Sequence, residues 1–484
     1  MKFVHTHFVK ILLAVALAAF VSGCSFAPHY KRPAVETPAT FKESPGTNNF
    51  DTNIWQVAQP GDAMLRSNWW VVFNDTNLDA LENQVAISNQ NVVVAFEQYR
   101  VAHEMVREAQ AEYFPTLTGN PGVSRQRTYT GGGLTLRNPN VTVYDLPLDG
   151  SWQPDLWGKV RNTVRSSAAQ AQASAADLEN TKLTAQTELA SDYFQLRGQD
   201  ALIQLYSDTV GAYSNSLSLT RVLFKTGIDS DEDVAQAETQ LETTEAEATN
   251  LGILRAQLEH AIAVLMGQPP EGFSLPLLPA TISPPPIPSG VPSQLLQRRP
   301  DIAAAERTVA SANAEIGVAR AAFFPNVTLS ASGGFESPTT GSLLKWGSRV
   351  WSIGASASQP IFNAGLPPAV IQYKAAYESS VAQYRQTVLT AFQQVEDNLS
   401  ALRILRVQIQ QQSVAVKSSL TYLNLATYRY KLGIDSYLNV ITAQTTYLNN
   451  RQTLVNLYTQ QMTDAITLIE DLGGGWNASQ LPKN

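Results

Sequence analysis

The sequence has few of the side chains that carry catalysis or bind metal ions. It contains five histidines in 484 residues, and they have no metal-ligand spacing. These histidines are His5, His7, His29, His103 and His260. The triple-glycine runs at 131–133 and 473–475 lack the lysine and the Ser/Thr of a phosphate-binding loop, so both are interpreted as turns.

The nearest approach to a metal site is a broken calcium-loop pattern. Asp229, Asp231 and Asp233 have the spacing that opens an EF-hand loop. Val234, however, stands in place of the required glycine, and Gln240 in place of the final glutamate. We therefore predict a protein that is not an enzyme and that uses no metal and no cofactor.

The sequence also lacks a basic cluster and a second long apolar run. Lysine and arginine number 34 against 41 aspartates and glutamates, and they form no group that could neutralise phosphates, so no nucleic-acid partner is expected. No run of about eighteen apolar residues follows the N-terminal segment, so no transmembrane helix is expected in the mature chain.

The N-terminus has the form of a bacterial lipoprotein signal. Two lysines and an apolar run over 11–21 lead to Val-Ser-Gly-Cys, which resembles a lipobox and ends at the sole cysteine, Cys24. Residues 1–23 are predicted to be a signal peptide and Cys24 the acylated first residue of the mature chain. Ser25, rather than an aspartate, favours sorting to the outer membrane. The alternative is an ordinary signal peptide with a chance cysteine.

The rest of the chain is a duplication. Matched landmarks occur in the same order: 113–115 with 323–325, 153–154 with 359–360, and FKTGIDS at 224–230 with YKLGIDS at 430–436. We predict two copies of one structural unit, at 69–268 and 300–476. The remaining segments are an acylated proline-rich leader (24–68), a linker (269–299) and a tail (477–484); the stretch from Pro269 to Pro300 holds ten of the 26 prolines.

Each unit is predicted to be mainly helical. A first helix is expected from Leu78 to Ala111, and no proline occurs from Asp155 to Gln268 or from Ala369 to Leu481. Long helices are predicted at about 158–226, 230–267, 367–432 and 436–472. Each pair meets at Gly-Ile-Asp-Ser, where glycine can end one helix and aspartate or serine can cap the next. At about 1.5 Å per residue, the first long helix would span on the order of 100 Å.

A small β part is predicted as two hairpins, at about 115–154 and 325–361. In the second hairpin Val327, Leu329 and Ala331 alternate with small polar residues, as a membrane strand requires, although a soluble hairpin has the same pattern. Four strands leave two open edges, which hydrocarbon does not tolerate. A spanning barrel would therefore need two, three or four copies, with eight, twelve or sixteen strands in all.

Several motifs resemble the outer-membrane factor family, the TolC-like channels, and in particular its acylated multidrug-efflux branch of NodT type. The motifs are the lipobox at Cys24, Trp69-Trp70 with Phe73, LLQRRPD at 295–301, ARAAFFP at 319–325, the paired Gly-Ile-Asp-Ser tips and LGGGW at 472–476. The resemblance implies a homotrimer with a 12-stranded β-barrel in the outer membrane, continued by a periplasmic α-helical barrel. It implies a passive exit duct for drugs or other small toxic compounds, served by a periplasmic adaptor protein and an inner-membrane efflux transporter.

The resemblance also implies roles for the two helix tips. The predicted gate residues are Asp231, Glu232, Asp233, Lys431, Tyr437, Leu438 and Thr442, with the acidic group alternatively serving as a helix cap and a solvated face. Related channels have an aspartate at the position of Thr442, so the acidic ring would be carried here by the first tip. The predicted adaptor-docking residues are Thr226, Gly227, Ile228, Leu432, Gly433 and Ile434.

Two other functions fit the same patterns. One is an identical duct that serves protein or polysaccharide secretion. The other is an acylated periplasmic coiled-coil tether without a pore, in which the four alternating segments would be soluble hairpins.

Overall fold

The structure is a computed structural model that describes residues 26–43, 68–127, 140–278 and 296–482. The predicted signal peptide and Cys24 lie outside the described residues, as do most of the linker and part of the leader. Within the described ranges, no helix combines the length and the apolarity needed to cross a bilayer.

Seven α-helices carry most of the described chain. Their bounds are α1 Thr76–Ser88, α2 Gln90–Ala111, α3 Lys159–Lys225, α4 Asp231–Leu265, α5 Pro300–Ala321, α6 Leu366–Lys431 and α7 Tyr437–Asp471. Helix α3 has 67 residues and α6 has 66, so each is about 100 Å long at about 1.5 Å per residue. Such lengths are possible because proline is absent beyond the first turn of either helix.

The prediction of a single helix from Leu78 to Ala111 is wrong, because the chain forms two helices that are separated at Asn89. That residue is extended, with φ −64° and ψ 124°, and its Oδ1 accepts hydrogen bonds from the amides of Asn91 (2.9 Å) and Val92 (3.2 Å). Its Nδ2 donates to the carbonyl of Leu265 at the end of α4 (3.0 Å). One buried asparagine thus satisfies groups at two helix ends, which compensates for the interrupted helix.

Five strands form one antiparallel sheet at one end of the long helices. The strands are β1 Thr116–Gly119, β2 Gly122–Arg127, β3 Asn140–Trp152, β4 Asn326–Ser337 and β5 Arg349–Ser358. Strands β1 and β2 both pair with β3, which pairs with β4, and β4 pairs with β5. Pro121, which has no amide hydrogen, separates β1 from β2, so the two behave as one interrupted strand. The hairpins of the two units therefore lie side by side.

The register gives the sheet one apolar and one polar face, because residues directly opposite each other share a face. Trp152, Leu329 and Ala355 form one row across three strands, and Gly150, Ala331 and Ile353 form the next row on the same face. On the other face Asp149 lies opposite Ser332, which lies opposite Ser352, and Asp145 lies opposite Glu336.

The main hydrophobic core lies where the short helices pack on the long ones. Helix α3 packs along α2, α4, α5 and α7, and α6 packs along α5 and α7. The largest buried side chains of this core include Trp69, Tyr193 and Tyr384. The two units are therefore held together by one continuous helical body.

The described part of the leader packs along this helical body and forms hydrogen bonds with it. Asn313 Nδ2 donates to the carbonyl of Pro28 (2.9 Å), and Arg32 Nε donates to the hydroxyl of Tyr384 (3.1 Å). Farther on, Phe41 is buried in the main core, and the Glu396 carboxylate accepts hydrogen bonds from the next two backbone amides.

Buried charges fasten the beginning of the linker. Asp200 is fully buried and accepts hydrogen bonds from Arg197 (2.8 Å), Arg255 (2.8 Å) and the amide of Leu278 (3.0 Å). Arg197 also donates to the carbonyl of Pro276 (2.8 Å). Since Asp200 is paired with both arginines, its burial is tolerated, and the cluster holds the linker against α3 and α4.

Candidate functional site

The two helix tips lie at the end of the long helices remote from the sheet, and both are closed by glycine. Gly227 has φ 78° and Gly433 has φ 70°, a left-handed conformation that glycine adopts without strain. The amide of Ile228 donates to the carbonyl of Leu223 (2.9 Å), and the amide of Ile434 repeats this bond one unit later, to Arg429 (3.0 Å). These bonds satisfy the last carbonyls of α3 and α6.

The acidic residues of the first tip divide into two groups. Ser230 Oγ accepts from the amide of Asp233 (3.1 Å), while an Asp233 carboxylate oxygen accepts from the amide of Ser230 (3.1 Å), so Asp233 is part of a helix cap. Asp231 and Glu232 are exposed in the first turn of α4. Of the three predicted acidic gate residues, these two are therefore the ones available to face a passage.

The predicted gate residues of the second tip are not all on the surface. Lys431, Leu438 and Thr442 are exposed, but Tyr437 is 2% exposed. The ring of Tyr437 lies against that of Tyr430, with centroids 5.2 Å apart. Tyr437 therefore packs inside the protomer and is not brought together with the exposed gate residues.

The predicted docking residues form an exposed surface on each tip. Thr226, Gly227 and Gly433 are exposed. The apolar side chains of Ile228, Leu432 and Ile434 are more than half exposed. Exposed apolar side chains on a hairpin turn fit a surface that another protein covers.

Sequence reasoning missed a hydrogen-bonded cluster that joins the two tips, which we name the tip bridge: Thr220, Asp229 and Tyr430. The hydroxyl of Tyr430 contacts the carboxylate of Asp229 and lies 3.1 Å from Thr220 Oγ1. Burial, reinforced by the hydrogen bond to Asp229, raises the pKa of Tyr430 above its ordinary value. The tyrosine is therefore a protonated donor at neutral pH.

One signal in the sequence could have revealed the tip bridge. The two copies begin with Phe224 and Tyr430, so the second copy adds a hydroxyl at a matched position. The matched aspartates differ accordingly: Asp229 accepts from Tyr430, whereas Asp435 forms an ion pair with Arg429 (2.7 Å). Around the tip bridge, an apolar cluster packs the two hairpins together; it includes Tyr213, Leu217, Leu241 and Val440.

At the sheet end, the described leader begins beside the base of β4. The ring of Phe26 stacks on Phe324 with centroids 4.2 Å apart, and Phe324 stacks on Trp157 at 5.0 Å. Arg320 Nη1 donates to the carbonyl of Phe26 (3.0 Å). Cys24, the predicted acylation site, is two residues earlier in the sequence and lies outside the described residues.

No group of three histidine, cysteine, aspartate or glutamate side chains that could hold a metal ion occurs among the residues that the structure describes. The fold instead defines a channel subunit: a small sheet with one apolar face, continued by two pairs of helices that end in glycine turns. The sequence profile described as outer membrane efflux protein matches residues 81–268 and 291–474. The chain belongs to the outer membrane efflux protein family.

Curated relatives extend over nearly the whole chain. The toluene efflux pump outer membrane protein TtgC of Pseudomonas putida is 33% identical over 474 residues, which cover 96% of each chain. The cation efflux system protein CusC of Escherichia coli is 28% identical over 96% of this chain and 98% of its own.

Solved structures agree in fold. The outer-membrane channel OprN matches with a TM-score of 0.85 and 28% identity, covering 94% of this chain and all of the other. A structure of CusC matches with a TM-score of 0.81 and 26% identity, over 93% of this chain and all of that one. The predicted family, fold class, outer-membrane location and efflux-channel function are thereby confirmed. Channels of this family work as trimers with adaptor and inner-membrane transporter partners, and the chain is an efflux channel subunit, not an enzyme.

Proposed function

We propose that three copies of this chain form the exit duct for drugs or other small toxic compounds, with Cys24 as a lipid anchor and the two tips as gate and docking surface. The observation that carries the proposal is the two-faced sheet with open outer edges above helices about 100 Å long. Relatives named for toluene, antibiotic and cation efflux support small compounds as cargo.

The open edges make closure between copies the first test. β1 and β2 on one side and β5 on the other have no partner beyond β3 and β4 in the described chain. Light scattering of the detergent-extracted protein, corrected for bound detergent, is expected to give three protomer masses, and planar bilayers are expected to show conductance. A stable monomer without conductance would instead favour the pore-free tether.

For the gate, we propose that Asp231 and Glu232 bias the passage toward cations. Both carboxylates are exposed, and a trimer would repeat them threefold, which favours cations at a constriction. The double variant Asp231→Asn with Glu232→Gln is expected to lower the cation-to-anion permeability ratio in bilayer recordings. Asp208→Asn, an exposed carboxylate farther along α3, is the matched control. An unchanged ratio in the double variant would refute the role.

For the anchor, the position of Phe26 at the sheet base supports acylation of Cys24 close to the membrane boundary. Mass spectrometry of the mature N-terminal peptide is expected to show an acylated cysteine. Cys24→Ala, directed to the periplasm by a cleavable signal peptide, is expected to lack the acyl mass yet still trimerise, because the leader is held by its own contacts.

A further inference from the structure

The charged residues of the sheet are segregated between its two faces. The strand register places Arg125, Arg127 and Arg349 on the apolar face, which also carries Trp152 and Leu329. We name these three arginines the basic rim. The acidic residues of the described strands all lie on the opposite face: Asp145, Asp149 and Glu336. Since a membrane barrel turns its apolar face to the lipid, the basic rim faces the bilayer.

The basic rim lies at the end of the strands that is remote from the helices. Arg125 and Arg127 are nine and eleven residues beyond Thr116 at the base of β1, and Arg349 is nine residues from Ser358 at the base of β5. At about 3.4 Å per residue and a tilt of about 45°, these side chains are roughly 22–26 Å above the base. The apolar band of a membrane barrel is about 25 Å tall. The basic rim is therefore at the outer border of that band, where an arginine on the lipid face is tolerated.

Exposed aromatic side chains mark the same border. Trp351 shares the face of the basic rim and is 78% exposed, and Trp346, in the turn before β5, is 76% exposed. At the base of the sheet, Phe114 and Trp152 are exposed as well. Belts of aromatic residues flank the lipid-facing band of membrane barrels on both sides. Because the helices are periplasmic, the belt that coincides with the basic rim lies at the outer leaflet.

The guanidinium groups of the basic rim have unused donors. Arg125 and Arg127 are exposed, and neither side chain has a hydrogen-bond or ion-pair partner among the residues that the structure describes. Arg349 Nε donates to the carbonyl of Trp346 (2.9 Å), and its Cζ lies 3.0 Å from the centroid of that indole ring. These contacts orient Arg349, but its two Nη atoms have no acceptor in the described chain. Lys345 adds an exposed cation in the same turn.

Closure of the barrel between copies brings the parts of the basic rim together. Within one protomer β2 and β5 are three strand spacings apart, about 14 Å. Inside the protomer, β3 of the first unit pairs with β4 of the second. The same arrangement between copies puts β5 beside the first strand of the next copy, about 4.8 Å away. Arg349 then lies beside Arg125 of the partner subunit, at the same height, and like charges on neighbouring strands repel each other unless an anion lies between them.

A lipid with two phosphate monoesters matches this group of charges. Each monoester carries about −1.5 to −2 at pH 7, so two of them balance three arginines and Lys345, whereas a phosphodiester carries about −1. Guanidinium groups bind phosphate oxygens with paired donors. We propose that each seam between copies binds a diphosphorylated glycolipid of the outer leaflet, of the lipid A type, through the basic rim. This inference rests on the proposed closure of the barrel between three copies.

Native mass spectrometry of the detergent-extracted full-length trimer, titrated with diphosphoryl lipid A, tests the proposal. The wild-type protein is expected to saturate with one lipid for each seam. The double variant Arg127→Gln with Arg349→Gln is expected to bind more weakly by about tenfold for each charge-assisted hydrogen bond lost. Arg100→Gln with Arg221→Gln removes the same charge from exposed arginines of α2 and α3 and is expected to change nothing. An affinity that is the same in the wild-type protein and in the double variant of the basic rim would overturn the proposal.

Three further probes identify the ligand. Lipid A without its phosphates keeps the acyl chains, so equal binding of this lipid would overturn the proposal. Phosphatidylglycerol or inorganic pyrophosphate binding as tightly as diphosphoryl lipid A would keep the anion site but overturn the glycolipid as its ligand. Trimer mass and bilayer conductance are measured on the same samples, so a failed lipid site is distinguished from a failed channel. If the double variant does not trimerise, Arg127→Gln alone decides, because that side chain has no partner to lose within the described chain.

Discussion

Replacing Tyr430 with phenylalanine removes the tip bridge while keeping the aromatic ring. Tyr430 is 5% exposed, and its ring packs on Tyr437, so phenylalanine fits the same space. Thr220 Oγ1 keeps its hydrogen bond to the carbonyl of Ser216 (3.1 Å), so the loss is concentrated at Asp229. Because the bridge joins the two hairpins, an opening movement that separates the tips must break it.

The size of the effect follows from the kind of bond. A hydrogen bond to a charged group contributes about 1.5–3 kcal/mol, and Asp229 is half-buried, so water compensates part of its loss. A net loss of about 2 kcal/mol would raise the opening equilibrium constant roughly 30-fold for each bridge that opening breaks. The hydroxyl is protonated throughout the neutral pH range, because burial raises its pKa, so the effect should not depend on pH near neutrality.

Planar bilayer recording measures this effect as the open probability of single trimers. Tyr430→Phe is expected to open far more often than the wild-type protein, with an unchanged trimer mass. Tyr428→Phe is the matched control, because Tyr428 lies on the same helix and is 63% exposed. An unchanged open probability for Tyr430→Phe, or an equal increase for Tyr428→Phe, would refute the reasoning.

The remaining predictions concern stability and docking. Burial, with a smaller contribution from Asp79, raises the pKa of Glu82 to about 9, well above the ordinary 4.5, so the free energy of unfolding of the wild-type protein falls as pH rises from 4.5 to 9. Glu82→Gln removes this pH-dependent loss. The variant is expected to exceed the wild-type protein in free energy of unfolding by on the order of 3 kcal/mol at about pH 7 and to equal it below about pH 4. Melting temperatures that differ between the two proteins by the same amount at both pH values would contradict this prediction. Asp200→Asn takes the shared carboxylate from the buried Arg197 and the half-buried Arg255, and it is expected to cost about 3–5 kcal/mol and to speed limited proteolysis of the linker; an unchanged rate of proteolysis would count against the role of Asp200 in holding the linker. Gly433→Leu is expected to lower drug efflux in cells. A Cβ added at this glycine would meet no atom within 4 Å, but its φ of 70° strains any other residue, so trimer mass is measured on the same variant. Gly252→Leu, equally open but helical on α4, controls for added bulk alone, and normal efflux with intact Gly433→Leu trimers would argue against docking.

Local chemistry made much of the fold predictable. The absence of proline over long stretches permits helices of more than sixty residues, and glycine at the repeated landmark ends them, because both effects act within one turn of the chain. Alternation of apolar and small polar residues likewise predicts strands whose two faces differ. The hairpin at 115–154 is less regular than expected, since Pro121 divides its first strand.

Two other misses depend on residues that are distant in the sequence. Asn89 interrupts a helix, and its side chain donates a hydrogen bond to the carbonyl of Leu265. The helical spacing of apolar residues from Leu78 to Ala111 does not predict this contact. The position of Tyr437 near the tip predicts that it lines the gate, but whether a helical residue faces a passage or a neighbouring helix depends on packing, which buries it. The gate and docking roles of the exposed tip residues stay predictions.

The sequence by itself determined the duplication, the lengths of the long helices, the glycine turns and the membership in an outer-membrane channel family, because each is recorded in residues that act locally or in recognisable motifs. Only the tertiary structure decided that the two equivalent aspartates have different partners. Asp229 accepts a hydrogen bond from Tyr430, whereas Asp435 pairs with Arg429. The reason is physical: a hydrogen bond requires two atoms about 3 Å apart, and Asp229 and Tyr430 are separated by 201 positions, a proximity that only the packing of one hairpin against the other creates.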